Sequence, residues 1–357
     1  MGPFSSGLNR RTVLGGFAAL PLLSSASFPN AAQAQAAPDD PLPSWNEGPA
    51  KTAIIRLVKS TTDAASPNFV PPDARIATFD QDGTTWVEHP VYTQVVYCLD
   101  RVPAVVKAKP ELGKVEAFKT VLSGDRAAIA KLSLKELEEI AMETLTGMSV
   151  DDFKVAVAEW ITTAKHPRWD RLYTDLTYLP MLEAMRYLRD NGYKTFIVTG
   201  GGQDFVRTYS QRVYGVPPWQ VVGTATAAKY GYDKDGKPFL TKDPKLLLND
   251  NNAGKVEGIH LEIGVRPVIA FGNSTGDREM LEYTTGGAGA RLGLLLLHDD
   301  AAREYAYGPA QGLPHTKVGT FTQALHDEAK NNGWEIISMK DDWKRVFAFD
   351  AGSSSAR

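Results

Sequence analysis

The sequence predicts an α/β domain: a parallel sheet with helices on both faces, and a helical cap inserted after the first strand. Three observations carry this. Apolar, β-prone runs at residues 75–79, 194–198, 267–271 and 292–297 lack polar alternation, as strands buried on both faces do. Helical periodicity separates the later runs, so strand and helix alternate. Between the first and second runs, residues 91–165 are helical in pattern almost throughout.

The 357-residue chain, 43% hydrophobic and 23% charged, supports a full core and excludes global disorder, collagen and disulfide frameworks. A net charge of −3 offers no basic surface to nucleic acid. Cys98 is the single cysteine, so no internal disulfide can form, and its setting in Val95-Val96-Tyr97-Cys98-Leu99 is that of a small buried hydrophobe.

Taken in order, residues 1–36 contain no acid, and Arg10 and Arg11 are the only basic residues before Lys51. An apolar run at 13–23 and the small residues Asn30-Ala31-Ala32-Gln33-Ala34-Gln35-Ala36 follow, which is the order of an export signal peptide. The apolar run is too short and too interrupted by Gly and Pro for a stable membrane anchor. Residues 37–49 are Pro-rich and aperiodic, and read as a linker. An amphipathic helix is expected over 51–65 and a helical cap over 88–169, with Ser133 and Ser149 opening two of its helices. A helix over 179–189 stops at Asn191-Gly192. After the strand at 194–198, a helix is expected over 203–214. A hairpin joins 221–227 to 238–241 around Asp233-Lys234-Asp235-Gly236, and a helix over 277–283 follows the third strand. Residues 50–87 and 170–350 thus make the α/β core.

In such sheets ligands bind beyond the carboxyl ends of the strands. The first strand runs into Asp80-Gln81-Asp82-Gly83-Thr84-Thr85. Two carboxylates so spaced suit a nucleophile on phosphorus and an acid that protonates the leaving group, then activates water. A divalent cation is needed there, because carboxylates facing a phosphate repel it. The second strand ends in Thr199-Gly200-Gly201-Gly202, a hydroxyl with exposed N–H groups that makes an anion cradle. Lys255 precedes the third strand and can neutralise phosphate charge. That strand ends in Gly272-Asn273-Ser274-Thr275-Gly276-Asp277, where Asn273 and Asp277 offer hard oxygen ligands or, equally, a helix cap.

The order Asp-x-Asp-Gly-Thr, strand-Thr-Gly, Lys, strand-Gly-Asn-Ser-x-x-Asp resembles the haloacid dehalogenase-like (HAD) hydrolase superfamily over residues 75–297. It looks closest to the phosphoserine-phosphatase-like branch, where a helical cap lies between the first two motifs. The resemblance implies a Rossmann-like core and a Mg²⁺-dependent phosphatase acting on a small phosphorylated substrate. Asp80 would be the phosphoryl-accepting nucleophile and a metal ligand, and Asp82 the acid/base with its main-chain carbonyl on the metal. Thr199 and Gly200 would bind phosphate, Lys255 would stabilise charge, and Asn273 and Asp277 would complete the metal site. The family often has Asp where this chain has Asn273, so one negative charge is missing. Leu8-Asn9-Arg10-Arg11-Thr12-Val13-Leu14 resembles a twin-arginine signal, which implies transient contact with that export machinery and a periplasmic or secreted location.

Trp86, Glu88 and His89 follow the first motif. An aromatic and a carboxylate suit a cationic or ring-bearing leaving group, with Glu88 as a substrate-binding residue, and cap-hinge packing is the alternative. Two rivals use other chemistry. Gly272-Asn273-Ser274-Thr275-Gly276 also fits a serine-esterase elbow on Ser274, with His298, His315 or His326 downstream. A non-catalytic periplasmic binding protein is the other. A dehalogenase would leave Asp82 without an alcohol to protonate.

Overall fold

The computed structural model describes residues 40–350. The export-signal reading of residues 1–36 therefore lies outside the described residues. Helix α1 (Pro49–Thr62) leads into strand β1 (Ile76–Phe79). Five helices follow: α2 (Thr93–Ala108), α3 (Glu116–Leu122), α4 (Arg126–Ile129), α5 (Leu134–Leu145) and α6 (Val150–Ile161). A short antiparallel pair, β2 (Lys165–His166) and β3 (Arg171–Leu172), returns the chain to helix α7 (Leu179–Asp190) and strand β4 (Lys194–Gly202). Then come α8 (Gln203–Arg207), α9 (Ser210–Tyr214), β5 (Val221–Tyr232), β6 (Pro238–Leu248), α10 (Ala253–Gly258), β7 (Ile269–Gly272) and α11 (Arg278–Thr285). The chain closes with β8 (Leu292–Leu297), α12 (Gln323–Asn331), β9 (Glu335–Ser338) and α13 (Met339–Asp342).

Seven strands form one sheet in the order β6-β5-β4-β1-β7-β8-β9. Every neighbouring pair is parallel except β5 and β6. Side chains alternate between the two faces, as strand geometry requires. Ala77, Phe79, Ile197, Ile269 and Phe271 join one apolar layer. Ile76, Phe196, Val198, Ala270 and Leu295 join the other. Both faces being buried explains why these strands read as unbroken apolar runs. From β1 the chain goes first to β4 on one side and later to β7 on the other, so the carboxyl end of β1 faces the crevice where the sheet order reverses.

The helical insertion is started by local chemistry. Ser133 accepts from Glu136 N while Glu136 reaches back to Ser133 N, a full capping box on α5, and Ser149 caps α6 through Asp152 N. Outgoing and returning chains lie side by side at its base. Val87 N donates to Leu176 O (3.2 Å) and Tyr178 N to Thr85 O (2.9 Å).

Three expectations are corrected. Residues 40–49, read as linker, are packed instead: Leu42 and Trp45 are fully buried, and Trp45 meets Trp343 edge-on at 5.9 Å. Ser44 binds Glu183 through both N (2.9 Å) and Oγ (2.7 Å). The helix expected over 203–214 is two short ones, α8 and α9, separated at Thr208-Tyr209. The hairpin is longer than the apolar run, because β5 and β6 continue as an antiparallel arm with Tyr230, Tyr232, Leu246 and Leu247 exposed. No helix among the described residues is long and apolar enough to cross a membrane.

Candidate active site

The two central strands bring the first and last motifs together. Phe79 stacks on Phe271 with ring centroids 4.3 Å apart, and Asp80 N donates to Phe271 O at 2.9 Å. Asp80 and Asn273 therefore leave the sheet as neighbours. The loop after Asp80 turns on itself: Thr85 N donates to Gln81 O (2.8 Å) and Gly83 N to Trp86 O (2.9 Å). Gly83 has φ +76°, and a Cβ there would stand 2.1 Å from Asn273 Nδ2 and 2.3 Å from Glu88 Oε1. Only glycine meets both demands.

Lys255, on α10 and 2% exposed, aims all three donors inward. Its Nζ binds the Asp80 carboxylate, Asp277 Oδ1 at 2.6 Å and Val198 O at 2.9 Å. Burial works against the ammonium, but Asp277 and Asp80 outweigh it and hold its pKa above the ordinary lysine value. The other Asp277 oxygen accepts from the N–H groups of Asn273 and Ser274, each at 3.0 Å. Asp277 thus braces both Lys255 and the turn that carries Asn273.

Asp80 is pushed up to about 7 by burial and the charge of Asp277, against the pull of Lys255. Burial raises Asp82 to about 6, opposed by the Trp86 indole, whose Nε1 donates to Asp82 Oδ1 at 2.7 Å, and by Lys255. The Thr199 hydroxyl accepts from Gly201 N at 3.0 Å, and a Cβ on Gly201 would lie 3.8 Å from Asp82 Oδ2. The glycine turn therefore faces Asp82. Asp80, Asp82, Glu88, Thr199, Gly200, Lys255 and Asp277 line one cavity of about 1360 Å³ under the cap, and Asn273, 1% exposed, lies beside them.

Every residue expected at the site is gathered there, but two expectations change in detail. Asp277 spends its oxygens on Lys255 and the 273–274 turn, so Asn273 is the one whose amide oxygen stands on the Asp80 side. Glu88 lines the cavity, yet its Oε1 already takes Asn273 Nδ2 and Tyr307 Oη, each at 2.8 Å. Trp86 stacks on Tyr209 at 5.2 Å and His89 lies on Tyr307 at 3.7 Å, so both serve cap-hinge packing. The esterase reading finds no base: Ser274 Oγ bonds to Gly276 N and Asp277, and among the described residues no histidine bonds to it. His298 instead donates from Nε2 to Gly83 O (2.7 Å) and meets Glu304 through Nδ1 (3.0 Å).

Four residues support the site in ways the sequence did not announce, His298 having been named only for the esterase alternative. Thr84 Oγ1 lies 3.2 Å from Asp80 Oδ2 and 3.1 Å from Asn273 Oδ1. Gln94 Oε1 accepts from Gly202 N at 2.6 Å, and His298 and Tyr307 hold Gly83 and Glu88. Only Thr84 carried a signal, by its place in the first motif.

The donor set suits a small hard cation. The Thr84 hydroxyl has one proton for two oxygens, so Asp80 Oδ2 or Asn273 Oδ1 is left short of a positive partner. Asp80 and Asp277 bind Lys255, and Asp82 and Glu88 line the same cavity. All available donors are oxygens, as Mg²⁺ requires. Among the described residues no group of three or more His, Cys, Asp and Glu side chains is arranged to hold a metal.

A parallel α/β sheet with carboxylates, a lysine and a glycine turn at its strand ends defines a hydrolase of the capped α/β type. The haloacid dehalogenase-like hydrolase family model matches residues 77–282, and the chain belongs to that family. No curated protein sequence matches it. Among solved structures, a conserved functionally unknown protein from Anaerococcus prevotii is similar at TM-score 0.48 and 16% identity, over 70% of this chain and 86% of that one. A phosphoserine phosphohydrolase-like protein from Francisella tularensis is similar at TM-score 0.36 and 19% identity, over 63% and 88%. A phospho-aspartyl intermediate analogue of phosphoserine phosphatase is similar at TM-score 0.34 and 16% identity, over 77% and 96%.

Proposed function

We propose that this hydrolase is a Mg²⁺-dependent phosphomonoesterase of the phosphoserine-phosphatase-like branch, working through an aspartyl-phosphate on Asp80. One observation carries the reading: two neighbouring carboxylates stand in different company. Asp80 is bound to the Lys255 ammonium, whereas Asp82 is held by the Trp86 indole and faces the glycine turn. On this reading Asp80, next to the ammonium, is the nucleophile, and Asp82, facing the turn, is the acid/base.

In this mechanism the Thr199–Gly200 turn receives the phosphate oxygens, and Lys255 offsets charge on Asp80 and the phosphoryl group. A carboxylate oxygen of Asp80 attacks phosphorus and the bond from phosphorus to the alcohol oxygen breaks. Asp82, whose carboxyl burial raises to about 6, gives its proton to that oxygen. Asp82, now ionised, takes a proton from water. The resulting hydroxide attacks phosphorus, frees inorganic phosphate and restores Asp80. Held by Asp80, the Asp82 main-chain carbonyl and Asn273, Mg²⁺ would supply Lewis-acid neutralisation of the phosphate.

A panel of phosphomonoesters assayed with Mg²⁺ on the wild type and Asp80→Asn tests the reading. Release of phosphate by the wild type alone supports it, and turnover that survives the substitution overturns it. The export reading is proposed alongside: residues 1–36 direct the chain through the twin-arginine route to the periplasm or beyond. Arg10→Lys together with Arg11→Lys should leave the protein in the cytoplasmic fraction.

A further inference from the structure

The family motif leaves position 273 without its usual charge, and the structure shows a carboxylate standing against that position. Asn273 Nδ2 donates to Glu88 Oε1 at 2.8 Å, with both residues all but fully buried. We propose that Glu88 is a positioning residue for the cation site: it supplies the negative charge that Asn273 lacks and fixes which way the Asn273 amide faces. The inference rests on the Mg²⁺ reading above.

The orientation follows from donor and acceptor logic. Glu88 Oε1 accepts from Tyr307 Oη at 2.8 Å as well as from Asn273, and these two donors favour the ionised carboxylate against the burial that raises its pKa. Only the amide nitrogen of Asn273 can meet it, and the amide oxygen is thereby turned to the Thr84 and Asp80 side. An amide left to itself can present either end. A Cβ on Gly319 would stand 1.7 Å from Oε1 and one on Gly83 2.3 Å, so two glycines make room for the carboxylate. An aspartate at 273 would set two carboxylates against each other, whereas the Glu88–Asn273 pair keeps one charge and one hydrogen bond.

The test is Mn²⁺ binding to the folded protein without substrate, followed by loss of the free-ion paramagnetic resonance signal. Glu88→Gln keeps the shape and removes the charge, and should weaken Mn²⁺ binding by about tenfold or more, the usual cost of losing a partner behind a metal ligand. Glu88→Gln combined with Asn273→Asp exchanges charge and amide, and should bring affinity back to within about threefold of the wild type. Tyr307→Phe frees Glu88 without touching its charge and should weaken binding by a smaller factor, which keeps the test open if Glu88→Gln does not fold. Wild-type affinity in Glu88→Gln, or a double variant no better than Glu88→Gln, overturns the proposal. A change in KM confined to certain leaving groups, with Mn²⁺ binding untouched, also overturns it in favour of substrate recognition. A wild type that binds no Mn²⁺ overturns the Mg²⁺ reading itself, and the two failures are thereby distinct.

Discussion

Lys255 Nζ and Asp277 Oδ1 stand 2.6 Å apart, buried to 2% and 1% side-chain exposure. The contact couples the helix α10 lysine to the turn that ends β7, because the same Asp277 carboxylate also takes the N–H groups of Asn273 and Ser274. Asp277 is therefore a brace, and Asn273 presents the oxygen. Asp277→Asn should lower unfolding free energy by about 3–5 kcal/mol, the range for breaking one side of a buried ion pair. Asn273→Ala should cost less stability but weaken Mn²⁺ binding by about 10–100-fold. Denaturant unfolding and metal titration on the two variants check this contrast, and equal metal loss in both would mean that Asp277 is a direct ligand.

In the proposed mechanism the different surroundings of Asp80 and Asp82 would separate the two halves of the reaction. Asp80→Asn should give no covalent phosphoenzyme and no turnover. Asp82→Asn retains the nucleophile, so an ester with a good leaving group, such as p-nitrophenyl phosphate, should still phosphorylate Asp80. Hydrolysis should then slow by about 10²–10⁴-fold, the usual worth of a placed acid/base. A burst of nitrophenol followed by slow release is the expected trace, and its absence at full nucleophile occupancy would remove Asp82 from the second step.

Much of this was legible in the sequence, for a physical reason. Strands buried on both faces announce themselves as apolar runs, and chemistry at their carboxyl ends must use residues adjacent in sequence to those runs. Asp80, Thr199 and Asn273 were placed by that logic alone. What stayed hidden depends on contacts across long separations. Glu88 and Asn273 are 185 residues apart, and nothing local marks them as partners. Residues 40–49 carry prolines and acids that read as a linker, yet Trp45 closes the core against Trp343. Strand β9 is a short edge strand with only Ile337 fully buried, too weak a pattern to read. Trp45→Ala should therefore cost about 3–5 kcal/mol, as aromatic truncations in a core do. Thermal unfolding measures it, and an unchanged midpoint would return the segment to linker status.

Proton and cation compete for Asp80. Its pKa is raised to about 7 by burial and Asp277, so protonation of the metal-free site competes with a cation on the acid side of neutrality. A cation needs the ionised form, so Mn²⁺ affinity should rise as pH increases toward 7 and level off above it. The linked effect on stability has the opposite sign. Between the unfolded carboxylate value, about 3.9, and the raised folded value, the folded state holds more protons than the unfolded chain. Metal-free stability from this group therefore falls as pH rises through that window, and Asp80→Asn should flatten the slope. A metal-free unfolding midpoint that climbs from pH 5 to 7 because of Asp80 would contradict the sign.

The cavity argues about the leaving group. Beyond Asp80 and Asp82, its lining includes Val95, Leu145 and Val150 from the insertion and Leu240 and Leu247 from the β5–β6 arm, with Lys154, Arg207 and Lys242 among them. A volume of about 1360 Å³ exceeds what a serine-sized alcohol fills. Apolar area withdrawn from water contributes about 25 cal/mol per Å², so an aromatic or branched alcohol should gain in kcat/KM over phosphoserine by about tenfold or more. Val150 is the first residue of α6, where an acid is tolerated by the helix. Val150→Asp should thus leave folding and phosphoserine turnover near wild type while cutting kcat/KM for naphthyl phosphate by about tenfold. A matched set of esters on the two proteins decides it: parallel losses on both substrates would show that the apolar wall does not touch the alcohol.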